Sequence, residues 1–280
     1  LPFTFRRVAA FANVSADRLL LVQLVMALIV SVTVYRFVDR NYFPVLVTAI
    51  HNMPEQAVLR DGILRGASHG SLASEKFLSV AVDLGEGNPG QVGDVQLELH
   101  RRYFSVCPMF RAVTGVVKCR YPSGTVAMGR TDLGTRWEAW RPMLSAVVVV
   151  GVFGLLLLSW AVLATVYALP ARFVAFIGSR DLDLGQCWNI AGAALMPGAA
   201  LMEVAILLYG IQWADMIGLT IITATHLVVG WIYLFMSIWQ APKAAPKPPP
   251  VVANVFSAQA SQGDGEGTST RKLGDNPFQS

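Results

Sequence analysis

Four stretches of the chain run without a charged residue for long enough to cross a bilayer. There are 17 uncharged residues between Arg18 and Arg36, 30 between Arg141 and Arg172, 19 between Asp183 and Glu203, and 27 between Asp215 and Lys243. A helix needs about 20 apolar residues to span a hydrocarbon core. Within each run the apolar residues fall on all sides of a helix, the pattern of a segment surrounded by lipid or by other helices. The runs predict transmembrane helices over 19–37, 143–169, 188–210 and 216–240. The first is the shortest, and with Arg6, Arg7 and Arg18 ahead of it the run has the look of a secretory signal. No Ala-x-Ala site follows, and the flank Arg36-Phe37-Val38-Asp39-Arg40 is unlike a cleavage region, so an uncleaved signal anchor is expected.

The pattern changes to a period of two in the insert over 41–141. Val95, Leu97 and Leu99 alternate with Gln96, Glu98 and His100, as in a half-buried strand. A second strand is expected over 77–83, ended by the turn cluster Gly85-Glu86-Gly87-Asn88-Pro89-Gly90. Asp61-Gly62 sits between 56–59 and 63–64 as a tight hairpin turn, and Thr114-Gly115 between 111–113 and 116–121 in the same style. A short strand over 126–128 follows the turn at Pro122-Ser123-Gly124. From Asp132 the sequence reads as a helix leading into the second span, with Trp137 and Trp140 at interface depth. About a hundred residues suffice for a small core of their own. The expectation is a small antiparallel β domain.

Composition adds a class and an orientation. Of the 280 residues 54% are hydrophobic and 14% charged, with a mean hydropathy of +0.50; soluble proteins carry about 25% charged residues. The fold class is therefore an α-helical integral membrane protein with four transmembrane helices and a β-rich extracytoplasmic domain between the first two. Arg6, Arg7, Arg18, Arg172, Arg180, Lys243 and Lys247 fall on one side of the predicted spans, while the turn over 211–215 has no Lys or Arg. Short-loop positive charge marks the cytoplasmic side. That places the N-terminus (1–18), a loop (170–187) and the tail (241–280) in the cytoplasm of a bacterium, the protein crossing its inner membrane. The stretch over 171–177 is expected along the cytoplasmic surface. The tail begins Pro-rich, as extended polyproline II over 242–250, and continues as a disordered segment over 251–280. The net charge of +4 forms no basic stripe, so nucleic acid is not an expected partner. Membrane lipid is expected, with other membrane-protein subunits or further copies of the chain.

Candidate chemistry is sparse. An ionisable residue inside a span is costly and draws attention by default; Glu203 in the third span and His226 in the fourth qualify. Gly192, Ala199, Glu203 and Gly210 share one helical face, and small residues allow close approach of a neighbour. A Glu203–His226 pair carries a proton or cation, is a structural hydrogen bond locking a helical hairpin, or makes a polar contact to a partner subunit. Cys107 and Cys119 fall in the outward-facing insert, where a disulfide is the economical expectation and two buried thiols the alternative. His51, His69 and His100 lack the spacing of a zinc site, and turn chemistry accounts for Asp83 and Asp94. With no phosphate-binding Gly-rich loop, no Gly-x-Ser-x-Gly and no His-Glu-x-x-His, neither a metal, a cofactor nor a catalytic residue is assigned.

Phe5-Arg6-Arg7 before an anchor helix, Leu59-Arg60-Asp61-Gly62-Ile63-Leu64 and Val80-Ala81-Val82-Asp83-Leu84 give the chain a further likeness. It resembles a family of uncharacterised bacterial multi-span membrane proteins linked to maltodextrin-utilisation loci. The resemblance implies the same topology and carries no established activity. The expected function is non-enzymatic, an accessory, assembly or sensing subunit that presents its outside domain to a partner or ligand. The alternative is a small transporter or channel component using Glu203 and His226.

Overall fold

The structure, a computed structural model, describes residues 3–85, 92–109 and 115–241. Most of the turn cluster at 85–90, the turn before Gly115 and the tail from residue 242 lie outside the described residues, so the readings made for them are not taken further. The described helices are α1 (Phe5–Ala10), α2 (Ala16–Asn41), α3 (Phe43–His51), α4 (Arg130–Ile177), α5 (Leu184–Gly210) and α6 (Met216–Gln240). Four helical stretches are long and apolar enough to cross a membrane: α2 with α3 over Ala16–His51, α4, α5 and α6. They are the stretches marked by the uncharged runs.

Polar residues at the helix ends satisfy backbone groups that the helices leave open. Thr4 caps α1 by accepting from the Arg7 amide. Asp183 and Gln186 form a reciprocal capping box at the start of α5, which begins at Leu184, four residues before the span expected there. Asp215 caps α6 by accepting from the Gly218 amide at 2.7 Å. At the far end of α6, the Arg180 guanidinium donates to the carbonyls of Trp239, at 2.6 Å, and Ala241. A cation there meets the negative end of the helix dipole.

With 48 residues, α4 is about 72 Å long at 1.5 Å per residue and outreaches any bilayer. Pro142 and Pro170 both lie inside it. The stretch over 171–177 continues α4 as helix, and the connector to α5 is 178–183. Proline removes one backbone hydrogen bond, which a membrane helix tolerates. α5 is the central helix: Ile190, Ala191, Ala193, Ala194 and Met196 are fully buried. A Cβ on Gly192 would lie 2.9 Å from Leu19 Cδ2 of α2, and one on Gly198 would lie 2.7 Å from the His226 carbonyl oxygen of α6. These glycines let α5 approach both neighbours backbone to side chain and backbone to backbone. The N-terminal segment, expected only as a cytoplasmic lead, packs here too, with Phe5 and Tyr233 ring centroids 4.7 Å apart.

The insert forms two sheets. β1 (Val58–Arg60), β2 (Ile63–Arg65) and β8 (Thr125–Ala127) are ordered β2-β1-β8. β3 (Gly70–Ser74), β4 (Leu78–Asp83), β5 (Val95–His100), β6 (Tyr103–Pro108) and β7 (Val117–Arg120) follow one another in the second. Asp61 and Gly62 have φ of 51° and 73°, and Arg60 pairs with Ile63. Two positive φ values in a two-residue loop match the right-handed twist of the flanking strands. The domain is not wholly antiparallel, however, because β4 and β5 run parallel with Ser79 opposite Gln96 and Asp83 opposite His100. Val45, Ala49 and Met53 near α3 share a core with Leu59, Leu64, Leu72, Val80 and Val82.

Candidate functional site

Two polar constellations of the insert are candidates, one on the five-stranded sheet and one where the sheet meets the helices. On the sheet, the registers align Ala81 with Glu98, Glu98 with Ser105, and Gln96 with Cys107. Paired residues point to the same face. One face of β4–β6 therefore carries Ser79, Asp83, Gln96, Glu98, His100, Ser105 and Cys107, and the other carries Val80, Val82, Leu97, Leu99 and Val106. The polar side of β5 is the more buried: Gln96 is 2% and Glu98 5% exposed, while Val95, Leu97 and Leu99 are half-buried. Sequence alternation distinguishes the faces without saying which is covered.

Buried polar groups need partners, and Gln96, Glu98, His100 and Ser105 supply them to one another. The Ser105 hydroxyl donates to Glu98 Oε2 at 3.1 Å, and the Gln96 amide donates to Glu98 Oε1 at 3.2 Å. His100 Nε2 lies 2.9 Å from Ser105 Oγ and 3.2 Å from Glu98 Oε2, and Nδ1 lies 3.4 Å from Asp83 Oδ2. Tyr103 stacks on the His100 ring with centroids 4.3 Å apart. His69 reaches the other Asp83 oxygen at 3.9 Å. His69 and His100, scattered in sequence, thus meet at one carboxylate. Among the described residues no group of three or more His, Cys, Asp or Glu side chains is arranged to hold a metal ion. An Asp–His–Ser order has the connectivity of a nucleophilic triad. Ser105 is 1% exposed and its hydroxyl is directed at Glu98, so the arrangement stabilises the sheet and presents no nucleophile to solvent. Nearby, Tyr121 donates to the His100 carbonyl at 3.1 Å, and burial pushes its phenol up to about 12.

The second constellation joins sheet to helices. The Tyr209 hydroxyl, from the last turn of α5, donates to Asp94 Oδ2 at 2.5 Å, and both residues are buried. Phe37 of α2 and Phe77, just before β4, flank Tyr209 with ring centroids at 5.4 and 4.9 Å, and Phe37 also meets Tyr42 at 5.5 Å. Tilted and edge-on rings at these separations attract beyond their area burial. No sequence signal links Asp94 to Tyr209, which are 115 residues apart. A second tie runs from Glu55, which accepts from the Thr131 hydroxyl at 2.9 Å and from Arg130 at 3.1 Å at the start of α4. The Thr131 hydroxyl and amide hold the Glu55 carboxyl below its ordinary value.

Glu203 and His226 do not meet as a hydrogen-bonded or ionic pair. The Thr33 hydroxyl of α2 donates to Glu203 Oε1, and Oε2 is buried without a partner among the described residues. His226 Nδ1 lies against the carbonyl of Thr223 in its own helix. The reason is angular. The Gly192–Glu203–Gly210 face turns toward α2, whereas α6 meets α5 at Gly198, about 140° around the helix from Glu203. The expected disulfide is also corrected: Cys107 and Cys119 are free thiols. Cys119 is opposite Phe104 and shares its face, while Cys107 lies three residues on, on the Ser105 face, so their side chains leave the sheet in opposite directions.

Comparison of the chain with family models, curated proteins and solved structures finds no match. The family resemblance therefore rests on the residues quoted for it.

Proposed function

We propose that the chain is a non-catalytic accessory, assembly or sensing subunit of a bacterial inner membrane, with both termini cytoplasmic and the β-rich domain outside. The observation that carries this reading is the buried Tyr209–Asp94 hydrogen bond within its aromatic cluster. Asp94 immediately precedes β5, the strand bearing Gln96, Glu98 and His100, and Tyr209 ends the central helix of the bundle. A ligand or partner that shifts β5 outside would act directly on α5. A freely tethered domain would need no such contact. α4 offers a long exposed apolar flank, including Leu155, Leu158, Val162 and Val166, to lipid and to neighbouring subunits. The transport alternative lacks a comparable observation, since the hydrogen bonds of Glu203 and His226 go elsewhere.

The test is purification of the tagged full-length chain from its native membrane in mild detergent, followed by intact-complex mass determination. A stoichiometric partner protein is expected, and Tyr209→Phe should weaken its retention. Chain-only particles that pass a solute or protons in liposomes in a Glu203-dependent manner would replace this reading with transport.

A further inference from the structure

A cavity of about 470 Å³ opens between the C-terminal half of α2 and the end of α5, close to the sheet junction. Thr33, Arg36, Phe37, Arg40 and Asn41 line it from α2. Their spacing of three and four residues puts them on one helical face. Leu207 and Ile211 form an apolar wall from α5, and both are at least half exposed toward the flank of the bundle. A second cavity of about 300 Å³ shares Arg40 and Asn41 and adds Lys76, with Glu75 as its one acidic group.

The charges at this mouth are not balanced. Asp39 is the acidic residue nearest in sequence to both arginines, and Arg141 takes it at 3.0 Å. Among the described residues neither Arg36 nor Arg40 has a hydrogen bond or ion pair. Like charges four residues apart on a helix repel each other. They also stand on the side of the spans where short-loop Lys and Arg are otherwise missing, at the 211–215 turn. Arginine forks match phosphate oxygens in geometry as well as charge. The floor of the cavity is Thr33, whose hydroxyl is committed to Glu203. That carboxylate keeps an anion out of the depth and leaves it at the rim, about 5–10 Å higher along α2.

We propose that this cavity is a binding site for an anionic phospholipid, its phosphate held between Arg36 and Arg40 and an acyl chain descending from it past Leu207 toward the bilayer core. The inference rests on the membrane-spanning reading of α2 and α5. A soluble phosphate would use the arginines and leave the apolar wall idle, whereas a zwitterionic lipid would use the wall and leave the charge uncompensated. A lipid so placed sits beside Phe37, a member of the aromatic cluster under the sheet, so its occupancy would brace the joint between domain and bundle.

The experiment titrates delipidated full-length protein in detergent with phosphatidylglycerol or with phosphatidylcholine of the same chains, reading bound lipid by native mass spectrometry. Phosphatidylglycerol should bind at least tenfold tighter than phosphatidylcholine. Arg36→Gln with Arg40→Gln should remove about tenfold or more of that affinity, while Arg18→Gln at the other end of α2 should not change it. Equal binding of the two lipids, or an unchanged affinity in the double variant, overturns the proposal. Displacement of the lipid by inorganic phosphate at equal concentration also overturns it, in favour of a soluble-anion site. Should the double variant not fold, Leu207→Trp keeps both charges and fills the cavity, and the same loss is expected. Alkaline carbonate extraction of the wild type is scored separately. Release from the membrane there would defeat the spanning reading, whatever the lipid selectivity.

Discussion

Removing one oxygen from Tyr209 is the most informative perturbation of the joint between domain and bundle. Tyr209→Phe keeps the ring and its contacts with Phe37 and Phe77 at 5.4 and 4.9 Å, and deletes only the hydroxyl that donates to Asp94 at 2.5 Å. Tyr209 is 5% and Asp94 7% exposed, so water does not freely replace the lost donor. A hydrogen bond to a charged group contributes about 1.5–3 kcal/mol, and a buried acceptor left alone costs about 1–3 kcal/mol. A loss of about 2 kcal/mol is therefore expected, which for a chain of this size lowers the thermal midpoint by on the order of 4 °C. The assay is thermal and denaturant unfolding of the full chain in one fixed detergent, completed as a double-mutant cycle with Asp94→Asn. The two residues should couple by at least about 1 kcal/mol. Unchanged stability in Tyr209→Phe, or additive single effects, would show that the contact does not hold the joint, and the reasoning from burial and distance would be refuted.

Other consequences concern packing, thiols and pH. Gly198→Ala should destabilise by about 1–3 kcal/mol because its methyl meets the His226 backbone at 2.7 Å. Gly192→Ala should cost less, since it meets the flexible end of Leu19; unfolding midpoints in the reverse order would contradict the α5 contacts described. Alkylation of unreduced, denatured protein should modify all three cysteines, and a product with only one modified would restore the Cys107–Cys119 bridge. Glu203→Gln should fold normally because its carbonyl still accepts from Thr33, whereas Thr33→Val should cost about 1–3 kcal/mol by leaving a carboxyl oxygen without its donor. The Glu55 carboxyl titrates below its ordinary 4.5 when folded, so its contribution is complete above that value and is lost as the pH falls through the lowered one. Glu55→Gln should accordingly flatten the acid limb of the stability–pH curve, and an identical limb would remove the Thr131 contact from the account.

The long apolar helices were legible because crossing a bilayer demands long uncharged runs, and α4, α5, α6 and the α2–α3 stretch are each long and apolar enough to cross one. Asp61-Gly62 was legible for an equally local reason, since a two-residue loop with two positive φ values selects such residues. What stayed hidden depends on neighbours distant in sequence. A helical wheel gives the face of Glu203 but not the helix opposite, and Thr33 lies 170 residues away. The Cys107–Cys119 spacing fits a bridge until the β6–β7 register puts the two on opposite faces. Alternation along β5 leaves open which side is covered until Glu98, His100 and Ser105 are seen to satisfy one another on the buried one. Pro170 reads as a helix end because in water a broken backbone bond is costly, yet α4 passes through it.

The central claim is that the β-rich domain and the bundle move as one unit through the Phe77–Tyr209–Asp94 joint. Phe37→Cys with Phe77→Cys leaves the Tyr209–Asp94 bond in place and joins α2 to the residue before β4 across rings 5.3 Å apart. In a background with Cys107, Cys119 and Cys187 replaced by Ser, this pair tests the claim in intact cells with a membrane-impermeant thiol oxidant. The account predicts rapid, near-complete bridging at this pair, matching a control pair of cysteines placed on facing residues of β1 and β2. Bridging of the control while the Phe37–Phe77 pair stays reduced would contradict it.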